Sequence, residues 1–216
     1  MLAVNEPGQV AISTTVGQVK KSEVREAILA SAHRLFGRNG YNDTSIARIA
    51  ADAGISTSNV YVYFRSKIEI LYAIYDPWMR ARLSRLERDL GRIRDPRRQL
   101  KKIFRTLWRD IPAEDNGFAN NIMQAISTAT PGEGYKPTLL RWMEQKLAEM
   151  VTAALPAHRR SLLGRARIAH LMVMAFDGFI VYHHLNPGGP CDGATIDYFC
   201  SLLLGRSAAS PRRARY

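Results

Sequence analysis

The sequence predicts an all-α protein: an N-terminal three-helix helix-turn-helix domain and a larger C-terminal helical domain, about nine helices in all. Three observations lead there. Residues 44–67, TSIARIAADAGISTSNVYVYFRSK, hold two short amphipathic segments joined by a glycine corner. Apolar residues recur at helical spacing through most of the rest, punctuated by Pro, Gly and capping residues. The stretch 168–182 is apolar on nearly its whole circumference, which suits a helix buried on most sides.

The first helix is expected over 22–38, with Ser22 as cap and Ile28, Ala32, Leu35 and Phe36 on its buried face. Asn39-Gly40 ends it. Residues 1–21 lack the basic start and apolar block of a signal peptide and read as a flexible extension. In the second helix Ile46, Ile49, Ala50 and Ala53 share a face, and Gly54 follows where a helix ends at positive φ. Ile55 plugs the corner, Ser56 caps the third helix, and Val60, Tyr63 and Phe64 face inward. This is a helix-turn-helix, with 57–63 as the element that would enter a DNA major groove. The plainer alternative is a helical hairpin packed for stability alone. Three details favour the reading head. The second helix of the motif has only about two turns, too short to stand alone. Its outer positions Thr57, Ser58, Asn59 and Val62 are small, neutral or polar. Ser66-Lys67-Ile68-Glu69 then fits a capping box opening the next helix.

The fourth helix is expected over 66–93, with a kink or capped restart at Asp76-Pro77. Asp95-Pro96 opens a fifth, with Leu100, Ile103, Phe104, Leu107 and Trp108 inside. A sixth covers 117–128, a loop 131–137, a seventh helix 137–155, an eighth 161–185 and, after an NPGGP turn, a ninth 194–204. The domains are thus 1–21 (extension), 22–68 (helix-turn-helix), 69–205 (helical) and 206–216, a short basic tail. On the eighth helix Ile168, Leu171, Met172, Ala175, Phe179 and Tyr182 line one face, and Val173, Phe176, Ile180 and Val181 the other. Pairing the last two helices with their copies in a four-helix bundle would bury both faces. The expected interface residues are Val173, Ile180, Val181, Ile196, Phe199 and Leu203.

The net charge of +12 favours an acidic partner. Up to residue 75 there are 8 basic against 6 acidic residues, and beyond it 23 against 13. Between 80 and 109 twelve basic residues meet only Glu87, Asp89 and Asp95. A solvated surface, a field assisting DNA encounter, a dock for an anionic effector such as a coenzyme A thioester, and contact with phosphates flanking the bound site all remain open. No apolar run is long enough to call a membrane span. Cys191 and Cys200 have no metal-type neighbours and read as free thiols. His33, His158, His170, His183 and His184 show no metal-ligand spacing, and no nucleophile sits in a recognisable setting. No catalytic residue, metal site or cofactor is expected.

From 28 to 71 the sequence resembles the DNA-binding domain of the TetR family of bacterial repressors. The matching residues are Ile28, Ala32, Leu35, Phe36, Gly40-Tyr41, Thr44, Ile46, Ile49-Ala50, Ala53-Gly54-Ile55-Ser56, Val60-Tyr61, Tyr63-Phe64, Ser66-Lys67 and Leu71. The resemblance implies that Thr44 bonds a phosphate and that Tyr61, Tyr63 and Lys67 lie against the DNA backbone or near base edges. Position 57 is usually Lys or Arg in the family and is Thr57 here; position 62 is often His or another polar or aromatic residue and is Val62 here. Base reading then falls to Ser58, Asn59 and a Val62 contact with a thymine methyl, with Arg48 as a further contact or a plain solvated arginine. The resemblance also implies a homodimer on a near-palindromic operator in double-stranded DNA, its heads about 34–36 Å apart. It implies a bacterial, cytoplasmic, nucleoid-associated repressor. It makes the second domain the ligand-binding and dimerisation part, holding an unknown small apolar or amphiphilic effector. Phe104, Trp108, Phe118, Met123, Met143, His170, Met174 and Asp177 are the residues assigned to that pocket, against the alternative that they are plain core. A DNA-organising or division-control protein of the same fold, without an effector, is the other reading.

Overall fold

The computed structural model describes residues 10–114, 117–129, 137–160, 165–186 and 191–205, the side chains of 10–19 and 165–166 excepted. The regular elements among the described residues are helices. They form two compact units, Met1–Ile74 and Tyr75–Tyr216. The division falls inside the fourth helix, after Ile74, and Ile70 and Leu71 ahead of it are wholly buried.

The first unit contains α1 (Val10–Asn39), α2 (Ile46–Asp52), α3 (Thr57–Tyr63) and the opening turns of α4 (Lys67–Leu90). Ile28, Ala32 and Phe36 of α1, Ile49 of α2, Val60 of α3, Phe64, Ile68 and Leu71 are all buried, most of them completely. At about 1.5–3 kcal/mol for each large apolar side chain, this cluster is what makes two seven-residue helices stable. The expected extension over 1–21 is corrected in part: α1 begins at Val10, and Ser22 lies inside it rather than at its cap. Within 10–21, Ile12, Val16 and Val19 fall at helical spacing. Once 22–39 is held by packing, each further turn adds hydrogen bonds without a new nucleation cost.

The second unit takes the rest of α4, then α5 (Pro96–Arg105), one π turn (Thr106–Asp110), α6 (Ile111–Glu114), α7 (Phe118–Thr128), α8 (Thr138–Ala154), α9 (Ala157–Arg160), α10 (Arg165–Leu185) and α11 (Gly193–Leu204). The π turn, α6 and α9 are not legible in the sequence. Of the two outcomes expected at Asp76-Pro77, the capped restart does not occur: α4 is a single helix that contains Pro77. Tyr75, Met79, Leu83, Leu86 and Leu90 make one buried stripe along it, offsetting the roughly 3 kcal/mol that an interior proline costs. Asp76 pairs with Arg80 instead of capping a new helix. Asp95 does cap α5, its carboxylate accepting the Arg98 N–H at 2.7 Å. The expected loop at 131–137 (except Pro137), the start of the eighth helix at Ser161, most of the NPGGP turn and the tail lie outside the described residues.

By length and composition, Arg167–Leu185 of α10 is long and apolar enough to cross a membrane, which corrects the sequence reading on that point. In the structure it is covered along one face only, with 28% of that stretch buried. Ala169, Met172, Val173, Phe176 and Ile180 are buried, α8 lies along it, and the Trp108 indole N–H donates to its Met172 carbonyl at 3.1 Å.

Candidate nucleic-acid interface

The helix-turn-helix is assembled by backbone and cap chemistry before any exposed side chain matters. Ser45 caps α2 by accepting the Arg48 N–H (3.2 Å), and Ser56 caps α3 by accepting the Asn59 N–H (3.2 Å). Between them Gly54 takes φ +69°, where a side chain would be strained, and the Ile55 N–H closes the corner on the Ala50 carbonyl at 3.0 Å. Ser31, buried on the inner face of α1, donates to the Ile49 carbonyl at 3.0 Å and ties α1 to α2. Arg34 reaches Asp52 at 2.6 Å beside it. The Ser31 hydroxyl and the Arg34 guanidinium hold the Asp52 carboxyl below the usual carboxylate range. None of these three residues was singled out from the sequence, although a serine among the apolar positions 28, 32 and 35 was the available signal.

This frame presents one face of α3 to solvent. Thr57, Ser58, Tyr61 and Val62 are exposed, Val62 to 72%, while Asn59 and Tyr63 are half-buried. Val60 at 0% exposure is the anchor beneath them. The Ser58 hydroxyl is 3.0 Å from that of Ser56, so it is oriented by the cap below it. Arg48, exposed on α2, donates to the Asp43 carbonyl at 2.9 Å, which fixes where its guanidinium stands. Residues 57–63 carry no charge, so the face offers shape, hydroxyls, an amide and a methyl pair rather than cations.

Two expected contacts sit differently. Thr44 is wholly buried, and its hydroxyl donates to the Gly40 carbonyl at 2.8 Å. It braces the turn between α1 and α2 and is not presented to a phosphate. Lys67 is half-buried. Its ammonium donates to the Tyr41 carbonyl at 2.7 Å and lies 4.1 Å from the Tyr41 ring centroid, and burial pulls its pKa below the ordinary lysine value. The capping box that Lys67 follows is shifted as well. Ser66 accepts the Glu69 N–H (3.3 Å), but the Glu69 carboxylate reaches back to the Arg65 N–H (2.6 Å) rather than to Ser66.

In the second unit Phe104 and Trp108 are buried, with ring centroids 4.5 Å apart, and Phe179 and Phe199 lie 5.4 and 4.9 Å from Trp108. Phe118 and Met143 are buried elsewhere in the core, and Met123 is half-buried. Two assigned pocket residues are corrected. His170 is exposed and pairs with Glu144 of α8 at 2.7 Å, and Met174 is 43% exposed on the outer face of α10. Asp177 is half-buried beside them, and burial pushes its carboxyl up to about 6.

The expected interface residues divide in the same way. Val173, Ile180 and Ile196 belong to the protein's own interior and are removed from that surface. Val181 and Phe199 are exposed and Leu203 half-buried. The outward apolar face consists of Leu171, Met174, Val181, Tyr182 and Leu185 on α10 with Tyr198, Phe199 and Leu202 on α11. Cys191 and Cys200 are free and buried, and burial raises both thiols to about 11.

Residues 28–74 match the family model described as bacterial regulatory proteins, tetR family. A nicotine-responsive transcriptional repressor of Paenarthrobacter nicotinovorans is 20% identical over 184 residues, 84% of this chain and 94% of that one. An uncharacterised helix-turn-helix transcriptional regulator of Haemophilus influenzae is 25% identical over 88 residues; the match spans only 47% of its length. Among solved structures, the fatty acid degradation regulator FadR of Bacillus halodurans aligns with a TM-score of 0.62 at 16% identity, covering 83% of this chain and 97% of that one.

Proposed function

We propose that the chain, whose residues 28–74 match the model of bacterial regulatory proteins of the tetR family, is a DNA-binding transcriptional regulator of that family and acts as a homodimeric repressor. In this reading it leaves a near-palindromic operator when a small apolar or amphiphilic effector binds its second unit. The observation that carries the reading is the α3 face: a buried Val60 beneath exposed Thr57, Ser58, Tyr61 and Val62, set on a capped, glycine-cornered frame. Ser58 and half-buried Asn59 offer hydrogen bonds to base edges, and Val62 offers methyls to a thymine. In this reading Tyr61 and Tyr63 reach the sugar-phosphate backbone, and Arg48, held by its bond to the Asp43 carbonyl, adds a further contact. Thr44 and Lys67 hold the frame in position rather than supplying contacts of their own.

Dimerisation through α10 and α11 is supported by the eight exposed apolar side chains just named, more than isolated surface residues would explain. Two copies joined there would place two heads on successive major-groove faces. Effector response is supported by the interior around the π turn, where a widened helical turn delivers Trp108 into a cluster of four aromatic rings. The relative from P. nicotinovorans is described as nicotine-responsive, and that property is its own. Here α4, which contributes residues to both units, would carry the signal, and a coupling of a few kcal/mol empties an operator. The site of action is the bacterial cytoplasm, and no catalytic role is assigned.

The test is selection of bound fragments from genomic DNA by the full chain, repeated with apolar and amphiphilic metabolites. Enrichment of a few inverted-repeat promoters, lost with one ligand, is the expected result. Binding to many dispersed sites that no ligand displaces would instead establish the DNA-organising alternative.

A further inference from the structure

The corner between α4 and α5 concentrates arginine in a way that the helix-turn-helix does not use. Arg85 and Arg88 lie on the outer face of the last turns of α4, Arg92 and Arg94 in the connection, and Arg98 in the first turn of α5. All five are exposed, and none has a side-chain hydrogen bond or ion pair among the described residues. The carboxylates nearest in sequence are already engaged. Glu87 pairs with Lys146 at 3.0 Å, Asp89 with Lys102 at 3.9 Å, and Asp95 caps α5 through the Arg98 N–H. Of the other cations between 80 and 109, Arg80 pairs with Asp76, Arg82 with Glu114, Arg97 and Lys101 with Asp197 and Arg105 with Asp110, and Arg109 is half-buried on the π turn, away from the corner in sequence. What remains is a surface of five uncompensated guanidinium groups.

We propose that this arginine corner is a second, sequence-independent contact for the phosphate backbone of double-stranded DNA, separate from the helix-turn-helix. Two features select that occupant. Every uncompensated cation is arginine, whose fork of donors matches phosphate oxygens and which, unlike lysine, gives paired hydrogen bonds. The corner also carries no large exposed apolar side chain. Among the described residues, the exposed large hydrophobics stop at Val62 and resume only at Leu171. A protein partner would need an apolar centre, and a lipid surface an amphipathic face. A phosphodiester backbone needs neither. The corner thus supplies the retention that the uncharged α3 face lacks, and it binds DNA whatever the operator and whether or not the head is engaged.

The experiment uses the full chain and random-sequence duplex DNA, with the dissociation constant measured across a series of salt concentrations. Replacing Arg85, Arg88, Arg92, Arg94 and Arg98 with Gln is expected to weaken random-duplex binding at least tenfold at low salt. The slope of log affinity against log salt should flatten by roughly four to five, since each lost phosphate contact removes about 0.9. A smaller pair, Arg92→Gln with Arg98→Gln, is matched against Arg141→Gln with Arg167→Gln, exposed arginines that change the net charge equally. Flattening by the first pair alone supports a local contact; equal flattening by both would reduce the effect to net charge and overturn the proposal. In a Val62→Asp background, where the head repels phosphate, retained random-duplex binding is expected, and its loss would overturn the separate surface. Retention of the chain on phosphatidylglycerol vesicles but not on duplex DNA, abolished by the five substitutions, would assign the corner to membranes instead.

Discussion

Asp177→Asn should stabilise the protein, and the gain should grow with pH. The carboxyl is half-buried on α10, and burial raises it from 3.8 to about 6. Below pH 3.8 folded and unfolded chains both carry the proton, and the group has no electrostatic cost. Between 3.8 and about 6 the folded chain holds a proton that the unfolded chain has lost, so stability falls as pH rises. Above about 6 the whole penalty is present. A shift of roughly two units corresponds to about 3 kcal/mol. The side chain keeps some contact with water, which reduces this to roughly 1–2 kcal/mol at pH 7.5. By the same relation, about a third of it remains at pH 4.5. Asparagine keeps the shape and removes the charge. The assay is urea unfolding followed by circular dichroism, at fixed protein concentration, for parent and variant at several pH values. Subtracting the two cancels every other titrating group. A difference that stays constant from pH 4.5 to 7.5, or that shrinks as pH rises, would refute the assignment of a buried, unpaired carboxyl.

Four further outcomes follow from the geometry. Thr44→Val should lower stability by about 1–2 kcal/mol through the lost bond to the Gly40 carbonyl, with the salt slope of DNA binding unchanged; a slope lower by about 0.9 would mean a phosphate contact. Lys67→Met should likewise lower the melting temperature, by losing the Tyr41 carbonyl and ring contacts, again without altering the slope in gel-shift titrations. Tyr61→Ala, at a ring 53% exposed, should leave the melting curve in place and weaken DNA binding about tenfold or more. Leu171→Glu should convert the proposed dimer to monomer in sedimentation equilibrium, since Leu171 is 66% exposed in the single chain; an unchanged mass would remove α10 from the proposed interface.

How far the sequence reaches depends on what surrounds each residue. The bounds of α3 are legible because a Ser56 cap, a corner glycine and a short apolar pattern agree over a few residues, whereas the Ser45 cap of α2 is not read from the sequence. The cap at Asp95 is legible for the same reason. The uninterrupted α4 is not, because the proline signal is local while the stripe from Tyr75 to Leu90 that overrides it acts through tertiary packing. On α10 both faces are apolar, so periodicity cannot say which turns inward; Val173 and Ile180 went to the interior and Leu171 and Leu185 to the surface. Thr44 shows the limit for polar residues. The spacing locates it at a helix start, and only the fold reveals that its hydroxyl points to Gly40 rather than to solvent.

The aromatic cluster at the π turn gives the molecule a built-in division of optical labour. Its three tryptophans, Trp78, Trp108 and Trp142, all lie in the second unit, and the first unit contains tyrosines but no tryptophan. Trp108 is 2% exposed, with its indole N–H bonded and rings on several sides, whereas Trp78 and Trp142 are half-buried and Trp142 lies under the Arg80 guanidinium at 4.4 Å. Emission excited selectively in tryptophan therefore comes from the second unit alone. Bluer light from Trp108 and redder light from the other two separate events at the π turn from events along α4 and α8. A label-free fluorometer can thus watch the second unit respond while the first is tied to DNA.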